Sequence, residues 1–184
     1  MSPLLLYIVL LVSFLALSVF FSAAETAFTA VNRIRLKYQA DAGDRKADAI
    51  KEIVANPDRL LGVILFGVTV AEIAAASLFT YLVVSSFAKE RAEVVGLAAS
   101  LVFSFVVLIF CELTPKIIAA SRPEQTARSL LLPVRICIAI LSPFASLAAW
   151  MANGIVRIVG LHSSASPFTH SLSREEIKAM RSQT

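Results

Sequence analysis

Three stretches of this chain, about residues 3–30, 60–87 and 95–119, are long and apolar enough to cross a bilayer, and each carries one carboxylate. A span needs roughly 20 apolar residues. In lipid, every backbone polar group must find its partner inside the protein, so runs of this kind span as helices. Composition agrees. Of 184 residues, 58% are apolar and 16% charged, against about 25% charged in an ordinary soluble domain. Mean hydropathy is +0.78. The expected fold is an all-α membrane protein.

The charges are segregated. Residues 1–30 hold Glu25 and no base, whereas 31–59 hold Arg33, Arg35, Lys37, Arg45, Lys46, Lys51 and Arg59 among five acids. Basic loops mark the cytoplasmic side. The bias places 31–59 and everything after about 119 inside, and the N-terminus and residues 88–94 outside. The first apolar run lacks a basic leader and is too long for a signal peptide, so it reads as a retained helix. Residues 31–59 are helix-compatible, broken at Gly43 and ended near Asn56-Pro57, which predicts a cytoplasmic helical hairpin. The net charge of +4 calls for no nucleic-acid partner.

A fourth apolar segment, Leu130 to Val159, differs. Arg135, Ser142, Ser146, Asn153 and Arg157 fall on one helical stripe, and Pro133 and Pro143 interrupt the run. A spanning helix would bury two arginines, so an amphipathic juxtamembrane helix lying on the inner face is favoured over a fourth span. Residues 161–172 form a polar linker. Ser173 and Glu176 then read as a capping box opening a connecting helix into a further cytoplasmic part. The expected division is a transmembrane transport domain over 1–160 and a linker with the start of that helix over 161–184.

The three carboxylates are the chemically informative residues. Glu25 shares a helical face with Ser18, Ser22 and Thr29; Glu72 shares one with Thr69, Ala76 and Thr80; Glu112 lies beside Ser100, Ser104, Cys111 and Pro115. An acid at the centre of a membrane helix costs about 3 kcal/mol. Three acids backed by hydroxyls are therefore expected to converge on a polar interior, where a bound cation removes their repulsion. Oxygen ligands suit Mg²⁺, Ca²⁺ or Na⁺ rather than zinc or copper. Pro115 has no N–H, which frees the carbonyl of Cys111 to face such a site, and Gly67 allows close backbone approach. Structural alternatives stand beside this reading. Glu112 and Lys116, four apart, can form an ion pair; Glu25 can hydrogen-bond a neighbouring helix; Glu72 can stay protonated; any single hydroxyl can bond back to its own helix. Cys111 and Cys137 read as small buried residues.

The order FFSAAETAFTAVNRIRL, a basic hairpin, LLGVILFGVTVAEIAAASL and CELTPKIIAA resembles the transmembrane (DUF21-type) domain of the cyclin M / CorC family of magnesium transport proteins. Its most specific parts are Ser22 with Glu25 before the hairpin, and the ending Glu112-x-x-Pro115-Lys116. The resemblance implies a homodimer with three spans per subunit in the plasma membrane, N-terminus outside and C-terminus cytoplasmic. It implies an inward-opening acidic cavity for Mg²⁺, with efflux coupled to Na⁺, and ATP engaged only through CBS modules beyond this sequence. Ser22, Glu25, Gly67, Glu112 and Pro115 carry over. Where the family has glycine, two asparagines and a third asparagine, this chain has Gly67, Val68, Thr69 and Glu72, so amides are replaced and a carboxylate is gained. The expected metal set is Ser22, Glu25, Gly67, Thr69, Glu72, Cys111 and Glu112, with Pro115 and Lys116 structural or gating. The alternative is a membrane-embedded Mg²⁺ sensor without transport. An enzyme is disfavoured: the two histidines, His162 and His170, lie in the linker, and there is no HExxH.

Overall fold

The structure, a computed structural model, describes residues 3–86 and 89–158. They are helical throughout, with no strand among the described residues: α1 (Pro3–Ala30), α2 (Arg33–Asp41), α3 (Arg45–Val54), α4 (Pro57–Ser86), α5 (Lys89–Val107), a π-helical turn (Leu108–Leu113), α6 (Thr114–Ser121) and α7 (Pro123–Ile158). Four helical stretches are long and apolar enough to cross a membrane: Leu4–Ala30, Pro57–Ser86, Val94–Ser121 and Pro123–Leu147. The protein is a multi-pass membrane protein.

The short helices start and stop where local chemistry requires. Asn32 caps α2, its Oδ1 accepting the N–H groups of Ile34 and Arg35 at 3.0 Å each. Asp44 caps α3 through the N–H groups of Lys46 (2.9 Å) and Ala47 (3.2 Å). Such caps satisfy amides that a helix start leaves without partners. Between them Gly43 adopts φ +92°, the left-handed region that turns the chain back. The helical hairpin and its break are thus as expected from sequence.

Two boundaries differ from the sequence expectation. Residues 89–94 are not a loop: α5 already begins at Lys89, because KERAEV contains good helix formers that the hydropathy of the span does not report. Pro133 and Pro143 do not interrupt α7, which runs through both. Each removes one backbone hydrogen bond. Burial of Leu131, Val134 and Ala145 on one side holds the helix in register across the two gaps. The linker over 161–172 and the capping box at Ser173 lie outside the described residues, as do the side chains of Asn153 and Arg157.

Buried side chains concentrate at one end. Phe21, Ala24, Ala27 and Phe28 of α1 pack with Leu36 of α2, Ala47 and Ile50 of α3, Leu60 and Ile64 of α4, Ala119 of α6, and Ala127, Leu131 and Val134 of α7. At the other end, Leu4, Leu5, Val9 and Val12 of α1 and Leu97, Leu101 and Phe105 of α5 point outward. That is the expected surface of helices bathed in lipid, where an outward apolar side chain carries no penalty. The tightly packed end ties the hairpin to the spans and fixes the half of α1 that carries Ser18, Ser22 and Glu25.

Candidate cation site

One face of α1 joins three other elements through three polar contacts, each about one turn from the next. Ser18 and Ser22 are its fully buried polar residues. Ser18 donates its hydroxyl to Glu72 Oε1 of α4 at 3.0 Å. Ser22 donates to the backbone carbonyl of Glu112, in the π turn, at 3.1 Å. One turn on, Glu25 Oε2 meets Lys116 Nζ of α6 at 3.2 Å. Lys116 also meets Glu112 Oε1 at 3.2 Å. The ammonium therefore stands between two carboxylates from different helices. The two acids and the lysine are each about one-third exposed.

The π turn explains how Glu112 reaches this position. Thr114 N–H donates to Ile109 O, five residues back rather than four. The residue next to it, Pro115, has no N–H to offer the carbonyl of Cys111. Widening the turn just before the proline spreads the lost bonding over Leu108–Leu113, and such π turns recur at functional sites. The acceptor that Ser22 reaches is the carbonyl of Glu112, not that of Cys111 on which the sequence reading centred. Cys111 is buried in the same turn, and Pro115 is buried beside it.

Gly67 is buried on α4 directly against Phe21 of α1. A Cβ there would fall within 2.7 Å of three carbons of the Phe21 ring. Phe21 sits one residue before Ser22, so this close approach sets the α1–α4 spacing across which Ser18 reaches Glu72. The sequence offered Gly67 as a close backbone approach to the cation site; in the structure the space left by its missing Cβ is taken by the Phe21 ring.

Glu72 and Glu112 both line an open cavity of about 260 Å³, together with Ala76, Phe103, Ser104, Val107 and Leu108. The hydroxyl stripes of α4 and α5 meet farther along, where Thr80 and Ser100 stand 3.0 Å apart. Thr69 does not join this group. It is exposed and donates to its own helix at Leu65 O, 2.7 Å. Thr29 is likewise exposed and bonds back to the carbonyls of Glu25 and Thr26. The three carboxylates are linked through α1 but do not gather into one knot. Among the described residues no group of three His, Cys, Asp or Glu side chains stands close enough to hold a metal ion by itself. Glu25 and Glu112 share an ammonium, and Glu72 rests on a hydroxyl. Cation ligation at the cluster therefore requires hydroxyl, backbone or water oxygens beside the acids, which is common for Mg²⁺.

A second ionic cluster lies at the hairpin end. Arg128 of α7 meets Asp44 Oδ2 at 2.7 Å and donates to Gln39 Oε1 at 2.9 Å; Arg35 meets Glu124 at 3.4 Å. The Arg128 hydrogen bond, with the Ala47 and Lys46 amides, holds the Asp44 carboxyl below the usual range. Sequence reading missed this cluster, whose partners lie 84 and 89 residues apart along the chain.

A bundle of apolar helices linked through buried hydroxyls and intramembrane acids defines a membrane protein of a transporter-like class. The comparisons make the assignment specific. The profile described as "Cyclin M transmembrane N-terminal domain" matches residues 8–184, and the chain belongs to that family. It is 31% identical over 167 residues to the UPF0053 inner membrane protein YfjD of Escherichia coli, covering 89% of this chain and 37% of that protein. It is 30% identical to the chloroplastic DUF21 domain-containing protein At1g55930 of Arabidopsis thaliana, over 90% of this chain and 24% of that protein. It is also 30% identical to the polyamine export protein of Salmonella typhimurium, over 78% of this chain and 34% of that protein. The chain thus spans between about a quarter and somewhat over a third of the length of these relatives.

Proposed function

We propose that this chain is the membrane domain of a cation transporter and that its cargo is Mg²⁺, moved outward in exchange for Na⁺ by a homodimer. The observation that carries the reading is charge balance. Glu25 and Glu112 share one ammonium, that of Lys116, while Glu72 accepts only from the Ser18 hydroxyl, so with all three acids ionised the linked residues carry a formal charge of −2. A divalent cation brings two further positive charges to these acids. Ser22, the Glu112 carbonyl and Ser104 supply neutral oxygens beside the acids. The broken, widened helix before Pro115 is the kind of backbone that transporters place around an ion.

In this reading α1, α4 and the α5–α6 unit are the three spans, the hairpin is cytoplasmic, and α7 lies obliquely at the inner face. Contacts along α7 support that placement. Arg128 binds the hairpin at Asp44, Arg59 near the start of α4 donates to Ser142 at 2.9 Å, and Phe144 stacks on Phe66 with ring centroids 6.0 Å apart. Arg135 shares a crevice with Arg59, at the end of α4 rather than at its middle. The C-terminus then stays inside, where CBS modules of the whole protein would bind ATP.

A second reading is export of a polyamine. Two observations favour it: relatives carry that name, and the Glu25–Glu112 pair already holds a primary ammonium, that of Lys116. Flux in vesicles reconstituted with the full-length protein separates the readings. Mg²⁺ efflux abolished by Glu112→Gln supports the first. Spermidine flux with no Mg²⁺ flux supports the second. Mg²⁺ binding with neither flux makes the domain a sensor.

A further inference from the structure

We propose that Lys116 is a tethered competitor for the cation site: its ammonium occupies the Glu25–Glu112 pair in the cation-free protein and must leave it when the cargo binds. The inference rests on the transport reading above and adds the device by which the site releases what it holds.

The geometry requires a choice between occupants. Lys116 Nζ is 3.2 Å from Glu25 Oε2 and 3.2 Å from Glu112 Oε1. A cation using either of those carboxylates adds its charge where the ammonium already sits. Inside a low-dielectric bundle two such charges repel strongly at contact distance. Lys116 is anchored on α6, immediately after Pro115, whereas Glu25 is on α1. The lysine therefore bridges the fixed, well-packed helix and the helix whose backbone bonding is already broken. Lysine also has a flexible four-carbon stem ending in a compact charge, so it can swing from the pair without moving its helix. With Lys116 between them, the two acids stay paired without a metal, and the empty protein avoids two unbalanced carboxylates facing each other.

Three consequences are measurable. Lys116→Met removes the competitor, so Mg²⁺ titrated into the purified protein binds at least tenfold tighter than to the wild type. Vesicle efflux of the same variant falls, because the site no longer has a group to displace the ion. Lys116→Arg keeps a competing charge and binds no tighter than the wild type. A role confined to structural pairing predicts the opposite order, with Met weakening binding through disorder of Glu25 and Glu112. The wild-type protein supplies a test that needs no variant. Reductive methylation with formaldehyde, read by mass spectrometry at Lys116, should speed up at saturating Mg²⁺ as the ammonium turns out of the pair. Unchanged Lys116 labelling in protein that does bind Mg²⁺, or a Met variant binding as the wild type does, overturns the competitor and leaves the transport reading intact. Absence of Mg²⁺ binding in every form overturns both.

Discussion

Two ionic clusters among the described residues pair carboxylates with basic side chains, and they differ in balance. At the hairpin end, Arg128 and Arg35 each meet one carboxylate, Asp44 and Glu124 respectively, so cations and anions pair one to one. Along α1, two carboxylates share one ammonium and a third, Glu72, is met by a hydroxyl. The first cluster sits among capped surface helices, where ion pairs contribute modestly and water can take over their role. The second sits in helices that otherwise present apolar side chains, where unbalanced charge is costly. A balanced cluster is sufficient explanation for a clamp between helices. An unbalanced one in an apolar bundle calls for a further cation, and that is the difference on which the functional reading turns.

The sharpest way to break this comparison is to neutralise one member of each cluster. Glu112→Gln should reduce cation flux by about 100-fold or more, since losing even an outer partner of a metal ligand typically costs 10–100-fold. The helical signal in circular dichroism should stay unchanged. Equal flux in variant and wild type would reduce Glu112 to an ion-pair partner. Gly67→Val should destabilise by about 3 kcal/mol, because the added carbons meet the buried Phe21 ring. Thermal unfolding in detergent checks it, and an unshifted midpoint would show that the α1–α4 spacing is soft. Ser22→Ala should cost about 1 kcal/mol, the net worth of one hydrogen bond, and weaken cation binding severalfold.

Asp44→Ala at the balanced cluster should lower the unfolding midpoint by roughly 3 °C, through loss of a helix cap and its Arg128 partner, with flux retained. Its pH dependence has a definite sign. The folded Asp44 carboxyl titrates below its unfolded value. Its stabilisation is therefore complete above about pH 4, the ordinary aspartate range. It fades as pH falls through the lower folded value. The difference in midpoint between wild type and Asp44→Ala should shrink on acidification, and a difference that grows would contradict the assignment of Arg128 as the cause.

Hydropathy alone located the three acid-bearing runs, because a membrane-length apolar segment leaves little other choice. Gly43, Asn56 and Pro57 likewise made the hairpin legible through local backbone preference. The ion pair between Glu112 and Lys116 was readable because four residues bring two side chains together on any helix. Its third member was not: Glu25 lies on α1, and only tertiary packing brings it to Lys116. The same limit left Thr69 and Thr29 open between the cluster and the bond back to their own helix that the structure shows. Helical spacing tells which residues share a face, but not whether that face meets another helix. The π turn had only a partial signature. Pro115 announced a break, yet nothing in the residue types tells that the break is absorbed by one wide turn upstream rather than by a kink. The continuity of α7 through two prolines was hidden for a related reason, since the packing that holds it comes from α1 and α4.

The most direct test of the central claim is calorimetric titration of Mg²⁺ into the purified protein and into Glu112→Gln, each with and without Na⁺. Saturable binding by the wild type, weakened by Na⁺ and lost in the variant, is the predicted result. Binding of equal strength in Glu112→Gln, or none in the wild type, would contradict it and leave the α1 cluster as a structural ion pair between Lys116 and its two carboxylates.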